Sequence, residues 1–104
     1  MLLLRTLLVL FSYTTAFLTP ANRIRLLRRG IDTIDDKISC LIESRMEISR
    51  RIGILKKIDQ IDDPLREEQI RKRIKDRHPR LPPELVDDVW RLLFLFSKEV
   101  QKTK

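Results

Sequence analysis

The chain has 104 residues, of which only two are glycine, and 42% of its residues are hydrophobic while 36% are charged. This composition is typical of one small domain built from long helices, and it argues against a sheet protein or a disordered chain. The formal net charge of +7 favours anionic partners such as nucleic acids, acidic membrane surfaces or small carboxylates and phosphates.

Residues 1–21 differ in character from the rest of the chain. Arg5 is followed by the apolar run 7–11 and then by small residues up to Ala16, which is the order of a signal peptide. The stretch 15–20 also resembles the cleavage motif of plastid-targeted proteins in algae with complex plastids. The apolar run is too short and too interrupted for a stable membrane span. We predict a targeting leader for export or for a plastid; if it is not functional, an apolar helix and a cytoplasmic location are the alternative.

The remaining residues, 22–104, form the predicted domain, and its first element is one long helix. No proline occurs between Asn22 and Lys57, and apolar residues recur there at alternating steps of four and three. This period marks a helix with one apolar stripe. The stripe comprises Leu27, Ile31, Ile34, Ile38, Leu41, Ile48, Ile52 and Leu55. At a rise of about 1.5 Å per residue, such a helix is roughly 50 Å long.

Two shorter helices follow. The pair Asp63-Pro64 provides a capping residue and a first-turn proline, which predicts a second helix from Pro64 to about Asp76. A proline-rich connector over 77–83 leads to a third helix over about 83–102, which is apolar around most of its circumference. Two short helices cannot cover the long one, so a single protomer would expose a large apolar surface. We therefore predict an all-α fold that pairs into an isologous homodimer.

Two polar side chains occupy interior positions of the long helix. Arg45 falls where the stripe requires an apolar residue, and Lys56, eleven residues further on, points within roughly 20° of the same direction. An arginine in an apolar seam is unfavourable unless it meets an anion. Arg28 points about 100° away from Arg45 and lies on the order of 25 Å from it along the axis, so in an antiparallel dimer it could reach the partner's site.

The shorter helices carry polar residues of the same kind. Ser97 and Gln101 lie one turn apart on the otherwise apolar third helix, and Arg66 and Glu67 lie in the first turn of the second. Taken singly, each residue is explained as a solvated or ion-paired surface residue. Taken together, cations, a hydroxyl and an amide on three helices predict a pocket for a small dianion.

Four blocks of residues follow one another along the chain in the order found in a known enzyme family. They are Leu27-Arg28-x-x-Ile31-Asp32-x-Ile34-Asp35-x-Lys37-Ile38, Leu41-x-x-x-Arg45-Met46-x-x-x-x-x-Ile52-Gly53-x-x-Lys56, Asp63-Pro64-x-Arg66-Glu67 and Phe94-x-x-Ser97-x-x-x-Gln101. Over about residues 22–104 the chain thereby resembles the AroQ-type, all-helical chorismate mutases. The resemblance implies an intertwined homodimer that converts chorismate to prephenate in phenylalanine and tyrosine biosynthesis, with each active site completed by one arginine of the other subunit.

The resemblance also implies roles for individual residues. Arg45 and the partner's Arg28 would bind the two carboxylates of chorismate. Lys56 and Gln101 would donate hydrogen bonds to the ether oxygen whose bond breaks, and Lys56 would also contact a carboxylate. Glu67, helped by the backbone near Asp63, would bind the ring hydroxyl. Arg66 and Ser97 would complete the polar shell, and Ile52 and Phe94 would form the apolar walls.

The implied reaction needs none of the residue types in which the chain is poor. With one cysteine, Cys40, and one histidine, His78, an internal disulfide and a Cys/His zinc site are excluded. Rearrangement of chorismate is intramolecular and needs no nucleophile, metal or proton transfer, so we expect no cofactor. Catalysis would come from restraint of the folded substrate and from donors aimed at the ether oxygen.

Three other functions remain open. An isochorismate–pyruvate lyase would be similar in scaffold and differ in substrate. A non-enzymatic nucleic-acid-binding protein is suggested by the basic residues of 71–80, but this run has no interleaved aromatic residues, so a solvated helix face explains it more simply and no nucleic-acid partner is expected. A catalytically inactive helical partner protein is disfavoured by the intact set of polar residues.

Overall fold

A computed structural model describes residues 19–103 of the chain. They form three α-helices, α1 (Pro20–Leu55), α2 (Pro64–Arg77) and α3 (Pro83–Lys102), with a short 3-10 turn at Ile58–Gln60 and no strand in this part of the chain. The prediction of an all-α fold with one long and two shorter helices is confirmed. The predicted leader lies outside the described residues except for residues 19–21, and α1 already begins within these three. None of the helices within 19–103 is both long enough and apolar enough to cross a bilayer.

Two of the helices begin with a proline that follows a capping side chain. In α1 the Oγ1 atom of Thr19 accepts a hydrogen bond from the backbone N–H of Asn22 at 3.3 Å. In α2 the Oδ1 atom of Asp63 accepts one from the backbone N–H of Arg66 at 3.1 Å. These bonds satisfy N–H groups that the first turn of a helix leaves unpaired. The cap of α2 was predicted, whereas the cap at Thr19 explains why α1 starts two residues before Asn22.

Tertiary contacts divide the chain into two compact units, one ending at Leu41 and one beginning at Ile42. In the first unit the described residues are those of α1 and its cap, and none of them is buried. Its apolar stripe is between 42% and 69% exposed at Leu27, Ile31, Ile34, Ile38 and Leu41. The stripe that the sequence assigns to an interior is therefore uncovered in a single protomer.

The second unit contains the end of α1 together with α2 and α3, and α2 packs against α3. Its buried hydrophobic residues are few: Ile61, Ile70, Val86 and Phe94. Three polar residues, Ser49, Ser97 and Gln101, are buried with them. A core in which polar side chains are almost as numerous as apolar ones is unusual, since burial of polar groups is unfavourable unless they are hydrogen-bonded.

The backbones of α1 and α3 meet at Gly53. A Cβ atom built on Gly53 would lie 2.5 Å from the Cα atom and 2.7 Å from the carbonyl oxygen of Gln101. Distances this short to backbone atoms cannot be relieved by rotation of a side chain. The absence of a side chain at Gly53 is therefore what allows α3 to approach α1 so closely.

We predict that Gly53→Ala lowers the free energy of unfolding by about 1–3 kcal/mol, because the added methyl group overpacks the crossing of α1 and α3. Gly30→Ala is the matched control, since a Cβ atom there meets nothing within 4 Å. In that helix interior, alanine should stabilise by roughly 0.5–1 kcal/mol. Urea unfolding followed by circular dichroism at fixed protein concentration measures both. Equal stability of the two variants would contradict the close packing at Gly53.

Candidate active site

A cavity of about 250 Å³ lies in the second unit, with lining residues from α1, α2, α3 and the segment between α1 and α2. Its polar lining consists of Arg45, Ser49, Lys56, Asp63, Arg66, Glu67, Ser97, Lys98 and Gln101. Its apolar lining consists of Ile48, Ile52, Ile61, Ile70 and Phe94. Small-molecule sites occupy roughly 300–1,000 Å³, so this cavity suits a compact metabolite.

Nine of the ten site residues predicted from the sequence line this cavity: Arg45, Ile52, Lys56, Asp63, Arg66, Glu67, Phe94, Ser97 and Gln101. The tenth, Arg28, belongs to the first unit. There it lines a surface pocket with Ala21, Ile24, Arg25, Arg29 and Asp32. Within one protomer, Arg28 is therefore not among the residues of the cavity.

Arg45 is half-buried at the centre of a small polar network. Its Nη1 atom donates a hydrogen bond to the Oγ atom of Ser97, and Ser49 donates a second one to the same oxygen at 3.2 Å. Burial lowers the pKa of Arg45, and the positive charge of Arg66 lowers it further. An arginine remains a cation under all physiological conditions. The result is an oriented, partly desolvated positive charge beside the cavity.

The ring of Phe94 is buried and attracts two guanidinium groups. The Cζ atom of Arg45 lies 5.7 Å from the ring centroid and that of Arg71 lies 5.6 Å from it. Both distances are within the range of a cation–π contact, about 6 Å. Arg71, which the sequence placed on a solvated basic face, is in fact only 25% exposed and also pairs with Glu68 at 3.0 Å. Phe94 is thus a wall of the cavity that also helps to hold Arg45.

Gln101 is buried in the last turn of α3, next to Gly53. Its Oε1 atom has no hydrogen-bond partner within the described residues. An unsatisfied buried acceptor costs about 1–3 kcal/mol, so such a group is normally paired with water or a ligand. The Oε1 atom of Gln101 is therefore available to a hydrogen-bond donor in the cavity.

Sequence reasoning missed two polar residues of the cavity, Ser49 and Lys98, and the apolar residues Ile48, Ile61 and Ile70. Ser49 is four residues after Arg45 and four before Gly53, so helical spacing could have identified it. Lys98 follows Ser97 on the most apolar helix, but its Nζ atom pairs with Glu67 Oε2 and with Asp62 Oδ1, both at 2.8 Å. Hydrogen bonds to Asp62 and Glu67 raise the pKa of Lys98. No pattern within α3 could reveal these partners, because both lie outside it.

The charges that line the cavity do not balance. Four lining side chains are cationic: Arg45, Lys56, Arg66 and Lys98. Two are anionic, Asp63 and Glu67, so the lining has a formal excess of two positive charges. Within residues 19–103, no group of three or more His, Cys, Asp or Glu side chains is arranged to hold a metal ion. The complement of this lining is a small molecule with about two negative charges.

Comparison with known protein families gives a match over most of the chain. A family described as chorismate mutase type II matches residues 27–102, which include the four blocks of the sequence and every residue that lines the cavity. No curated protein and no solved structure is significantly similar to the chain. The resemblance drawn from the four blocks is confirmed, and the chain belongs to the chorismate mutase type II family.

Proposed function

We propose that this protein is a chorismate mutase, an isomerase that rearranges chorismate to prephenate on the route to phenylalanine and tyrosine. Membership of the family supports the reaction. The observation that carries the proposal is that Arg45 on α1, Lys56 directly after the end of α1 and Gln101 on α3 line one cavity with an excess of positive charge. Chorismate is a compact dianion, so its charge matches this lining.

The chemistry requires restraint and electrostatic stabilisation. In the rearrangement the ether C–O bond of chorismate breaks while a new C–C bond forms, and no atom enters or leaves. An enzyme accelerates such a step by holding the folded conformer in which the reacting carbons are close. It also accelerates the step with donors aimed at the oxygen that gains negative charge. In our proposal Lys56 and Gln101 are these donors.

Arg45 is the proposed anchor for one carboxylate of chorismate. Its guanidinium group is already held by the Ser97 hydroxyl and the Phe94 ring, so little conformational freedom is lost when substrate binds. Its partial burial strengthens an ion pair with a carboxylate, because the local dielectric is lower than in water. Arg66 contributes further positive charge, and Ser97 completes the polar shell.

Glu67 is the proposed acceptor for the ring hydroxyl, with the backbone near Asp63 beside it. The carboxylate of Asp63 already caps α2, which leaves the backbone as the more suitable partner at that residue. Ile52 and Phe94 are the proposed apolar walls, which exclude water from the ether oxygen.

The second carboxylate is assigned to Arg28 of a second copy of the chain, and the enzyme is proposed to be a homodimer. The uncovered stripe of the first unit supports pairing, as do exposed apolar residues on α3: Leu85, Val89, Leu92, Leu95 and Phe96. Contiguous apolar surfaces of this extent mark interfaces in soluble proteins. Pairing of two antiparallel copies would bury them and bring Arg28 to the partner's cavity.

Nucleic-acid binding is less well supported. Several side chains of the basic run 71–80 are engaged within the chain. Arg71 contacts Phe94, Lys72 pairs with Asp76 at 2.6 Å and Lys75 pairs with Asp87 at 2.7 Å. Cations that are already paired contribute less to the release of counterions that drives binding to phosphate backbones.

We expect the purified protein to consume chorismate, measured as the loss of its ultraviolet absorbance, and to form prephenate. Lys56→Ala should lose more than about 2 kcal/mol of transition-state stabilisation, because it removes a cationic donor at the ether oxygen. Lys57→Ala is the matched control, since Lys57 is exposed and does not line the cavity. Near-wild-type turnover by Lys56→Ala would reject the role of Lys56. Pyruvate release from isochorismate, without chorismate turnover, would identify a lyase.

The shared active site predicts complementation between inactive subunits. Arg28→Ala and Arg45→Ala should each be strongly impaired, because each leaves a substrate carboxylate unpaired. When the two variants are unfolded, mixed equally and refolded, about half of the dimers are mixed and each contains one intact site, so about a quarter of wild-type activity should return. Each variant refolded alone is the control. No recovery in the mixture would exclude a site that joins Arg45 to the partner's Arg28.

The amide of Gln101 predicts activity that does not require acidic pH. An amide donates its N–H at any physiological pH, whereas a carboxyl group donates only when protonated. We expect Gln101→Glu to make the rate rise as the pH falls, while the wild-type rate shows no such dependence. Profiles of kcat/KM against pH for the two proteins test this. A wild-type rate confined to acidic solution would contradict it.

A further inference from the structure

The ion pair between Lys98 and Glu67 joins α3 to the first turn of α2 inside the cavity. Lys98 is on α3 and Glu67 is on α2, and both line the cavity. Their charged atoms are 2.8 Å apart, and the two side chains are 28% and 19% exposed. The pair is therefore shielded from solvent more than the helix-surface pairs of this chain, such as Lys72 with Asp76 at 74% and 61%.

The second partner of Lys98 lies in a different environment. Asp62 is also 2.8 Å from Lys98, but its side chain is 71% exposed. An exposed ion pair is screened by water and contributes little. The interaction that differs from an ordinary surface contact is thus the one with Glu67.

We propose that Lys98 is a positioning residue that orients the carboxylate of Glu67 to accept the ring hydroxyl of the substrate. The proposal rests on the function proposed above and adds a residue that sets selectivity for a hydroxylated ring acid. Lys98 bonds to Oε2 of Glu67, and an ionised carboxylate has about four acceptor positions, so capacity for a further donor remains.

Lys98 also addresses an electrostatic problem of the site. The proposed substrate carries two negative charges, and Glu67 places a third one in the same cavity. A lysine at 2.8 Å offsets this charge, so the carboxylate can accept a hydrogen bond from the ring hydroxyl with less repulsion of the substrate. In addition, a carboxylate held from the neighbouring helix loses less rotational freedom when substrate binds.

The test compares chorismate with an analogue in which hydrogen replaces the ring hydroxyl, and it uses Lys98→Met and Lys98→Arg. We expect Lys98→Met to lower kcat/KM for chorismate about tenfold, mainly through KM, because one oriented hydrogen bond is lost. For the analogue, which has no hydroxyl to bind but keeps both carboxylates, we expect a clearly smaller loss, because only the charge of Glu67 is then left without its partner. Lys98→Arg keeps the charge and should restore most of the discrimination between the two substrates.

Three controls separate positioning from general stabilisation. Lys102→Met removes a lysine one turn further along α3 whose ion pair, with Glu99, is exposed, and should leave both substrates unaffected. Asp62→Asn removes only the exposed partner of Lys98 and should change kcat/KM little. Lys98→Met should add nothing to the loss caused by Glu67→Gln, because Lys98 acts through that carboxylate.

The role of Lys98 is overturned if the wild-type enzyme is active and Lys98→Met lowers turnover of both substrates equally, or of neither. Additive losses in the double variant with Glu67→Gln would overturn it as well. Absence of any chorismate turnover by the wild-type protein would instead overturn the proposed function, and the role of Lys98 with it.

Discussion

The contact between α1 and α3 at Gly53 and Gln101 determines which side chains of this protein can meet. Because no side chain intervenes at Gly53, the backbone of Gln101 lies directly against α1. This approach brings Ser97 within hydrogen-bonding distance of Arg45 and Ser49. A wider separation of the two helices would break this network and open the cavity to solvent. The polar site thus depends on a packing constraint at a residue that takes no part in the chemistry.

The cavity concentrates positive charge where water is partly excluded. Such an arrangement is unfavourable in an empty protein, since desolvated cations repel one another. The chain offsets part of this cost internally: Ser97 and the Phe94 ring stabilise Arg45, while Asp62 and Glu67 stabilise Lys98. The excess of positive charge that remains is complementary to a polar, doubly negative ligand. Substrate binding and the proposed catalysis would both depend on the same preorganised charges.

The exposed apolar surfaces of α1 and α3 affect the stability of the folded chain. Only four hydrophobic residues are buried within the described part of the protomer, while long apolar stretches of α1 and α3 are exposed. A core this small gives little stability, because each buried apolar side chain contributes only about 1.5–3 kcal/mol. Association with a second copy is the simplest way to remove the exposed surface from water. In the proposed dimer, folding, assembly and completion of the site by Arg28 would be one coupled event.

The pattern of residues along the chain was enough to predict the three helices and the residues of each helix that share one face. The 3.6-residue period placed Arg45 and Lys56 on one line, and the pair Asp63-Pro64 marked the start of α2. Most of the cavity lining could be predicted in this way, with the family resemblance assigning the blocks to one site. The folded structure was needed to reveal that Lys98 pairs with Glu67 and that Phe94 lies against both Arg45 and Arg71. Periodicity specifies direction around a single helix axis, whereas these contacts depend on the distance and rotation between separate helices, which are set by packing.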